Sequence, residues 1–240
     1  MLPLADEGTP PQRSFPIVNI SIIVICILVY LLQLLFGVDN SIMAYGTIPY
    51  EIVHGVDLVG NQGGLPQAPI SFPVYVTLIT SMFMHASLIH IGGNMLFLFI
   101  FGDNVEDNMG HVKYAIFYFI CGMIANFAQI IVDVNSYVPG VGASGAIAGV
   151  MAAYLVLFPR AQVRALIFVG IGFITRVPAI IMIGFWALTQ LVSGLNVLGL
   201  GSDMSGVAYW AHIGGFAAGA VLVFLLGDRA AAQRGLTYGM

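Results

Sequence analysis

Seven basic residues stand in this 240-residue chain. None interrupts its long apolar runs: Arg13, Lys113, Arg160, Arg164, Arg176, Arg229 and Arg234 all fall in the gaps. A run of about 20 apolar residues matches a bilayer core roughly 30 Å thick. Inside lipid its backbone must be helical or part of a closed barrel, because nothing else satisfies every N–H and C=O internally. Only 8% of the residues are charged and 59% are hydrophobic, against roughly 25% charged in a soluble domain. The sequence therefore predicts an all-α polytopic membrane protein with the lipid bilayer as its surroundings. The net charge of −4 says little by itself, but with no basic patch no nucleic-acid partner is expected. Cys26 and Cys121 both lie in apolar runs and read as packing residues, not as a disulfide framework or a zinc site.

Six spans are expected, at about 15–37, 88–101, 114–132, 144–158, 178–195 and 207–227. The first exceeds the roughly 7–15 residues of a signal-peptide core and no small-residue cleavage site follows, so it reads as a retained span. The second is short and is expected to extend upstream through 81–87. The segment 165–174 is too short to span and is flanked by Arg164 and Arg176, which suggests an interfacial segment or a loop on the cytoplasmic surface. With six spans every basic residue falls on the side of both termini, whereas the opposite loops carry Asp39, Glu51, Asp57, Asp133 and Asp203. Positive charge marks the cytoplasmic side. The expected organisation is a short cytoplasmic tail over 1–14, a membrane domain over 15–228 with a large first extracytoplasmic loop, and a second cytoplasmic tail over 229–240.

Depth follows from the helical rise of about 1.5 Å per residue. Ser144 precedes Arg160, His212 precedes Asp228 and His90 precedes Glu106 by the same 16 positions, or about 24 Å. Each later residue marks the cytoplasmic end of a helix running inward. Ser144, His212 and His90 therefore lie at similar depth, below the outer surface. The stretch from Tyr137 to Gly142 holds Pro139, Gly140 and Gly142 and resists helix, so the fourth helix is expected to start at Ser144, within the membrane. A serine at a helix N-terminus has free backbone N–H groups beside it, which suits an oxyanion site. Gly145 with Gly149, and Gly215 with Gly219, are small-xxx-small pairs that let two membrane helices approach.

Each of these residues has a plainer reading. Serine in a membrane helix often just bonds a backbone carbonyl, and a lone intramembrane histidine can be a helix-to-helix hydrogen bond or a proton relay. His85, His90 and His212 could also be metal ligands, but the five-residue spacing of the first two departs from the i, i+4 geometry and no acidic residue lies nearby within the membrane. Together, a serine, a histidine at equal depth, and the two side-chain donors His90 and Asn94 on one helical face supply what nucleophilic acyl transfer needs.

The set resembles the rhomboid family of intramembrane serine proteases. The resemblance rests on H-x4-H-x3-N at His85, His90 and Asn94, on Gly142-Ala143-Ser144-Gly145, on Ala211-His212-Ile213-Gly214-Gly215, and on a G-x3-E stretch at Gly102 and Glu106. It covers about residues 15–228, with the motifs on the second, fourth and sixth spans. It implies a Ser144–His212 dyad, with Ser144 as nucleophile and His212 as general base and then acid. His90, Asn94 and the Ser144 N–H would bind the oxyanion. It implies single-span membrane-protein substrates cut near the outer end of their helix, no metal or other cofactor, and a bacterial or archaeal plasma membrane. A substrate helix would enter past the fifth span, where Phe185 and Trp186 are candidate gate residues. The chain departs from the family at Ala148, where members often place an aromatic that stacks on the base, and it lacks the Trp-Arg pair some carry in the first loop. Two other readings stay open. A noncatalytic relative that binds membrane helices typically lacks the serine or histidine, both present here, and a His-lined transporter would show proton-linked flux and no serine labelling.

Overall fold

A computed structural model describes residues 1–7, 9, 13–62, 64–168, 172–200 and 206–228, without the side chains of 199 and 200. The expected tail 229–240, with Arg229 and Arg234, and the loop residue Asp203 lie outside the described residues. The chain runs β1 (Leu2–Glu7), α1 (Ile17–Phe36), α2 (Val38–Tyr45), α3 (Pro49–His54), β2 (Gly60–Gln62), β3 (Leu65–Gln67), α4 (Thr77–Thr80), α5 (Leu88–Met109), α6 (His111–Val132), α7 (Ser144–Leu157), β4 (Gln162–Ile167), β5 (Phe173–Pro178), α8 (Ala179–Leu200) and α9 (Tyr209–Leu226). Short 3-10 turns at Val74–Val76 and Ser81–Phe83 flank α4. The fold is mostly helical, as expected, with two small antiparallel sheets added.

Helices α1, α5, α6, α8 and α9 are long and apolar enough to cross a membrane. Large apolar side chains such as Leu28, Leu35, Leu188 and Leu225 stand exposed on their outer faces. Only a lipid surround removes the cost of such a surface. Helix α7 is shorter, 14 residues, or about 21 Å. Every residue from 145 to 154 is buried, because α5, α6 and α9 all pack around it.

The expected upstream extension of the second span does not occur. Ser87 ends the preceding extended backbone at φ −160° and caps α5, its Oγ accepting from the His90 N–H at 3.1 Å. The helix grows at its other end instead, to Met109, where Gly110 at φ +79° breaks it from α6.

The G-x3-E stretch clamps α1 onto α5. The Glu106 carboxylate accepts from the Val18 and Asn19 N–H groups at 2.9 and 2.7 Å, two of the unpaired donors in the first turn of α1. A Cβ at Gly102 would overlap Asn19, whose amide donates to the Leu98 carbonyl at 3.1 Å and accepts from Tyr114 Oη at 2.8 Å.

The segment expected at the surface between the fourth and fifth spans is a β-hairpin, β4–β5, and the N-terminal stretch read as a tail joins it as β1 in the order β1-β4-β5. Val163 and Ala165 are buried while Gln162 and Arg164 are not, the period-2 alternation of a half-buried strand. Glu7 bonds Arg164 and Arg176 at 3.7 and 2.6 Å, and Asp6 accepts from Tyr154 and Asn104 at 3.1 and 2.9 Å. Burial raises the Asp6 carboxyl above its usual range. The sheet thus closes the end of the bundle where α5 and α7 finish. Arg13, paired with Asp107 at 3.8 Å, Lys113 at the start of α6, and Arg160 after α7 belong to the same end.

Candidate active site

The opposite end of the bundle holds the starts of α5, α7 and α9. Backbone entering α7 is irregular, and its polar groups are met by the first loop. Thr47 and Gly140 exchange N–H···O bonds at 2.9 and 2.8 Å, and the Gly142 N–H donates to the Ser81 carbonyl at 2.9 Å. The Asn126 amide of α6 reaches the Leu78 carbonyl at 2.8 Å and Ser81 Oγ at 3.2 Å. Non-helical backbone at membrane depth is tolerated under such cover. Gly142 has φ +129°, and a Cβ there would stand 2.8 Å from His90 Nε2 and 3.5 Å from Ser144 Oγ. Only glycine meets both demands.

Ser144 is the first residue of α7, as expected. Its Oγ lies 2.8 Å from His212 Nε2, across helices 68 positions apart in sequence. The approach rests on the four glycines. A Cβ at Gly215 would overlap the Gly145 carbonyl oxygen, and one at Gly219 the Gly149 carbonyl oxygen. The start of α9 is held further by Gln129 of α6, whose Oε1 accepts from the Ala211 N–H at 3.3 Å.

His90 presents Nε2 to Gly142 beside Ser144. Its Nδ1 accepts from the Ala86 N–H at 3.4 Å, so the neutral ring carries its proton on Nε2, the nitrogen facing the serine. Asn94 follows one turn later on α5; it is buried, and its Nδ2 has no hydrogen-bond partner among the described residues. A buried unpaired amide donor is costly and suits a charge that arrives from outside. His85 is fully buried behind them. Gln33 of α1 pairs with its backbone in both directions, at 3.0 and 3.1 Å, and its ring meets that of His90 edge-on at 5.2 Å. It supports His90 from behind.

The two candidate gate residues separate. Phe185 is 56% exposed on the outer surface of α8. Trp186 faces inward, its ring 5.6 Å from that of His212 and 6.4 Å from that of Phe216. Ala148 is fully buried, and the aromatic ring beside His212 comes from α8, as Trp186. A residue that sequence reasoning passed over also reaches the imidazole: Gln190 Oε1 lies 2.7 Å from His212 Nδ1. Its signal was present, as a polar residue inside an apolar span one helical turn beyond Trp186.

The rhomboid-domain pattern matches residues 73–229. The chain is 30% identical over 161 residues to "Rhomboid-like protein 11, chloroplastic" of Arabidopsis thaliana, covering 65% of this chain and 54% of that one. It is 33% identical over 102 residues to the human "Presenilin-associated rhomboid-like protein, mitochondrial", covering 42% and 27%. "RHOMBOID-like protein 6, mitochondrial" of Arabidopsis thaliana is 37% identical over 78 residues, covering 32% and 25%. The matches span about half or less of each relative's length. With the family pattern spanning most of the chain, from the first loop to the end of α9, this protein belongs to the rhomboid family.

Proposed function

We propose that the chain is an intramembrane serine endopeptidase acting through a Ser144–His212 dyad. The observation that carries this reading is the 2.8 Å contact between Ser144 Oγ and His212 Nε2 at a helix N-terminus. Ser144 Oγ attacks the substrate carbonyl while Nε2 takes its proton. The oxyanion is held by the Ser144 N–H, His90 Nε2 and Asn94 Nδ2. His212 then gives the proton to the leaving amine. A water, deprotonated by the same nitrogen, resolves the acyl-enzyme.

The substrates under this reading are membrane proteins whose spans reach the site laterally past α8, with the outward Phe185 and the inward Trp186 along that route. The five described basic residues at the far end support a cytoplasmic assignment for that end, and with it an extracytoplasmic side for the site.

A membrane-impermeant fluorophosphonate probe tests both statements. In sealed right-side-out vesicles it should label wild-type protein at Ser144 and leave Ser144→Ala unlabelled. Absence of label in opened membranes would sink the serine assignment; label only after opening would invert the orientation.

Asn94→Ala removes a donor aimed at charge present only in the transition state. It should lower kcat by roughly 10²–10³ with little change in KM. An unchanged kcat with a raised KM would make Asn94 a substrate contact instead.

A further inference from the structure

We propose that Gln190 is the positioning residue of the site: it fixes the tautomer and ring orientation of His212, and it does so from α8. The inference rests on the dyad reading above. General-base action on Ser144 needs a lone pair on Nε2, hence the proton on Nδ1. Gln190 Oε1, 2.7 Å from Nδ1, is an acceptor placed to hold that proton.

The amide could serve only if its oxygen and not its nitrogen faces the ring, and the neighbouring hydrogen bonds decide this. Thr189 Oγ1 donates to the Trp186 carbonyl at 2.6 Å, so its single proton is spent. It can only accept from Gln190, whose Nε2 lies 3.3 Å away. Gln190 therefore turns its NH2 to Thr189 and its oxygen to His212. Flipped, it would donate to Nδ1 and put the imidazole proton on Nε2, the wrong nitrogen for accepting from serine.

The same interactions tie base orientation to the seat of α8. Trp186 and Gln190, one turn apart, both face His212, and one turn further the Trp210 indole N–H of α9 donates to the Gly194 carbonyl at 3.1 Å. The imidazole belongs to α9 and its acceptor to α8, so the base is aligned only while the two helices stay together. A neutral acceptor suffices because the positive charge on His212 is transient; the bond gains strength as that charge develops. The serine–histidine–acid arrangement uses a carboxylate for the same task.

The test compares purified wild type, Gln190→Met and Gln190→Glu in proteoliposomes with a membrane-embedded reporter. Methionine keeps the volume and removes the acceptor; glutamate keeps the acceptor. Gln190→Met should lose about 10- to 100-fold in kcat, the worth of a hydrogen bond to a charged group, with KM nearly unchanged and the melting temperature held. Gln190→Glu should recover most of that loss and move the acid limb of the pH–rate profile upward, since a carboxylate favours the protonated imidazole. His90 of α5 is the titratable side chain that bears on His212 among the described residues, and it is common to all three proteins. Nitrogen-15 histidine spectra supply a readout independent of turnover: wild type should carry its His212 proton on Nδ1, and Gln190→Met should lose that preference. If wild type cleaves and Gln190→Met matches it in kcat, acid limb and tautomer, the positioning role is overturned alone. If wild type shows the Nδ1–H tautomer, lost in Gln190→Met, yet neither labels nor cleaves, the protease reading falls and the positioning role stands.

Discussion

Ser144→Ala is expected to abolish cleavage of a membrane-embedded reporter, by at least roughly 10⁴-fold, while the protein folds as wild type. Oγ is the attacking atom in the proposed mechanism, and alanine removes it with almost no change in volume. His212→Ala should be similarly inactive, because the serine proton then has no acceptor. The double variant should be no worse than either single one. Residues that act as one unit do not add, and in the proposed mechanism the 2.8 Å contact between Oγ and Nε2 joins them into one. Turnover measured on purified single and double variants decides the matter: a further large loss in the double variant would mean that the two side chains act separately.

Gly219→Val should break the fold from a distance. No side chain separates α7 from α9 at this point, and a Cβ on Gly219 would overlap the Gly149 carbonyl oxygen and stand within 3 Å of its Cα and carbonyl carbon. Backbone atoms of a buried helix cannot rotate aside as a flexible side chain can. Helix association in lipid has no hydrophobic driving force to offset the clash and depends on this close packing. Overpacking of this kind costs about 3 kcal/mol or more. The expected outcome is a melting temperature lower by roughly 10 °C or more, with activity lost as His212 moves off Ser144. Gly184→Ala is the control, since nothing lies within 4 Å of the added Cβ, and it should melt at or slightly above wild type. Equal melting of Gly219→Val and wild type would show that the two helices are not in backbone contact.

Much of the site was legible in the residues because depth in a membrane is a one-dimensional quantity. Helical rise times sequence distance puts Ser144, His212 and His90 at one level, and the structure brings the three side chains together. The glycine pairs named the helices that would touch. The second-span error has an equally local cause. Apolar content marked the stretch, but Ser87 caps the helix and Gly110 ends it, and the polar last turns past residue 101 fell outside the apolar span although Glu106 marked the helix end. In the surface segment the period-2 alternation at Val163 and Ala165 was present too, but a strand needs partners, and β1 lies about 160 positions away in the register Ala5–Arg164.

The sequence by itself determined that this chain is a helical membrane protein, which candidate residues share one level along their helices, and which helices can approach closely. Each of these follows from composition, rise or residue size along a single helix. The tertiary structure alone decided which side chains meet. Helix rotation is not set by a helix's own residues, and its neighbours turn Trp186 and Gln190 toward His212 while leaving Phe185 outside. They also bring Glu106 onto the first turn of α1 and close the far end with a strand from the N-terminus. Pairings between distant segments are fixed only when the whole bundle packs and every buried polar group must find a partner.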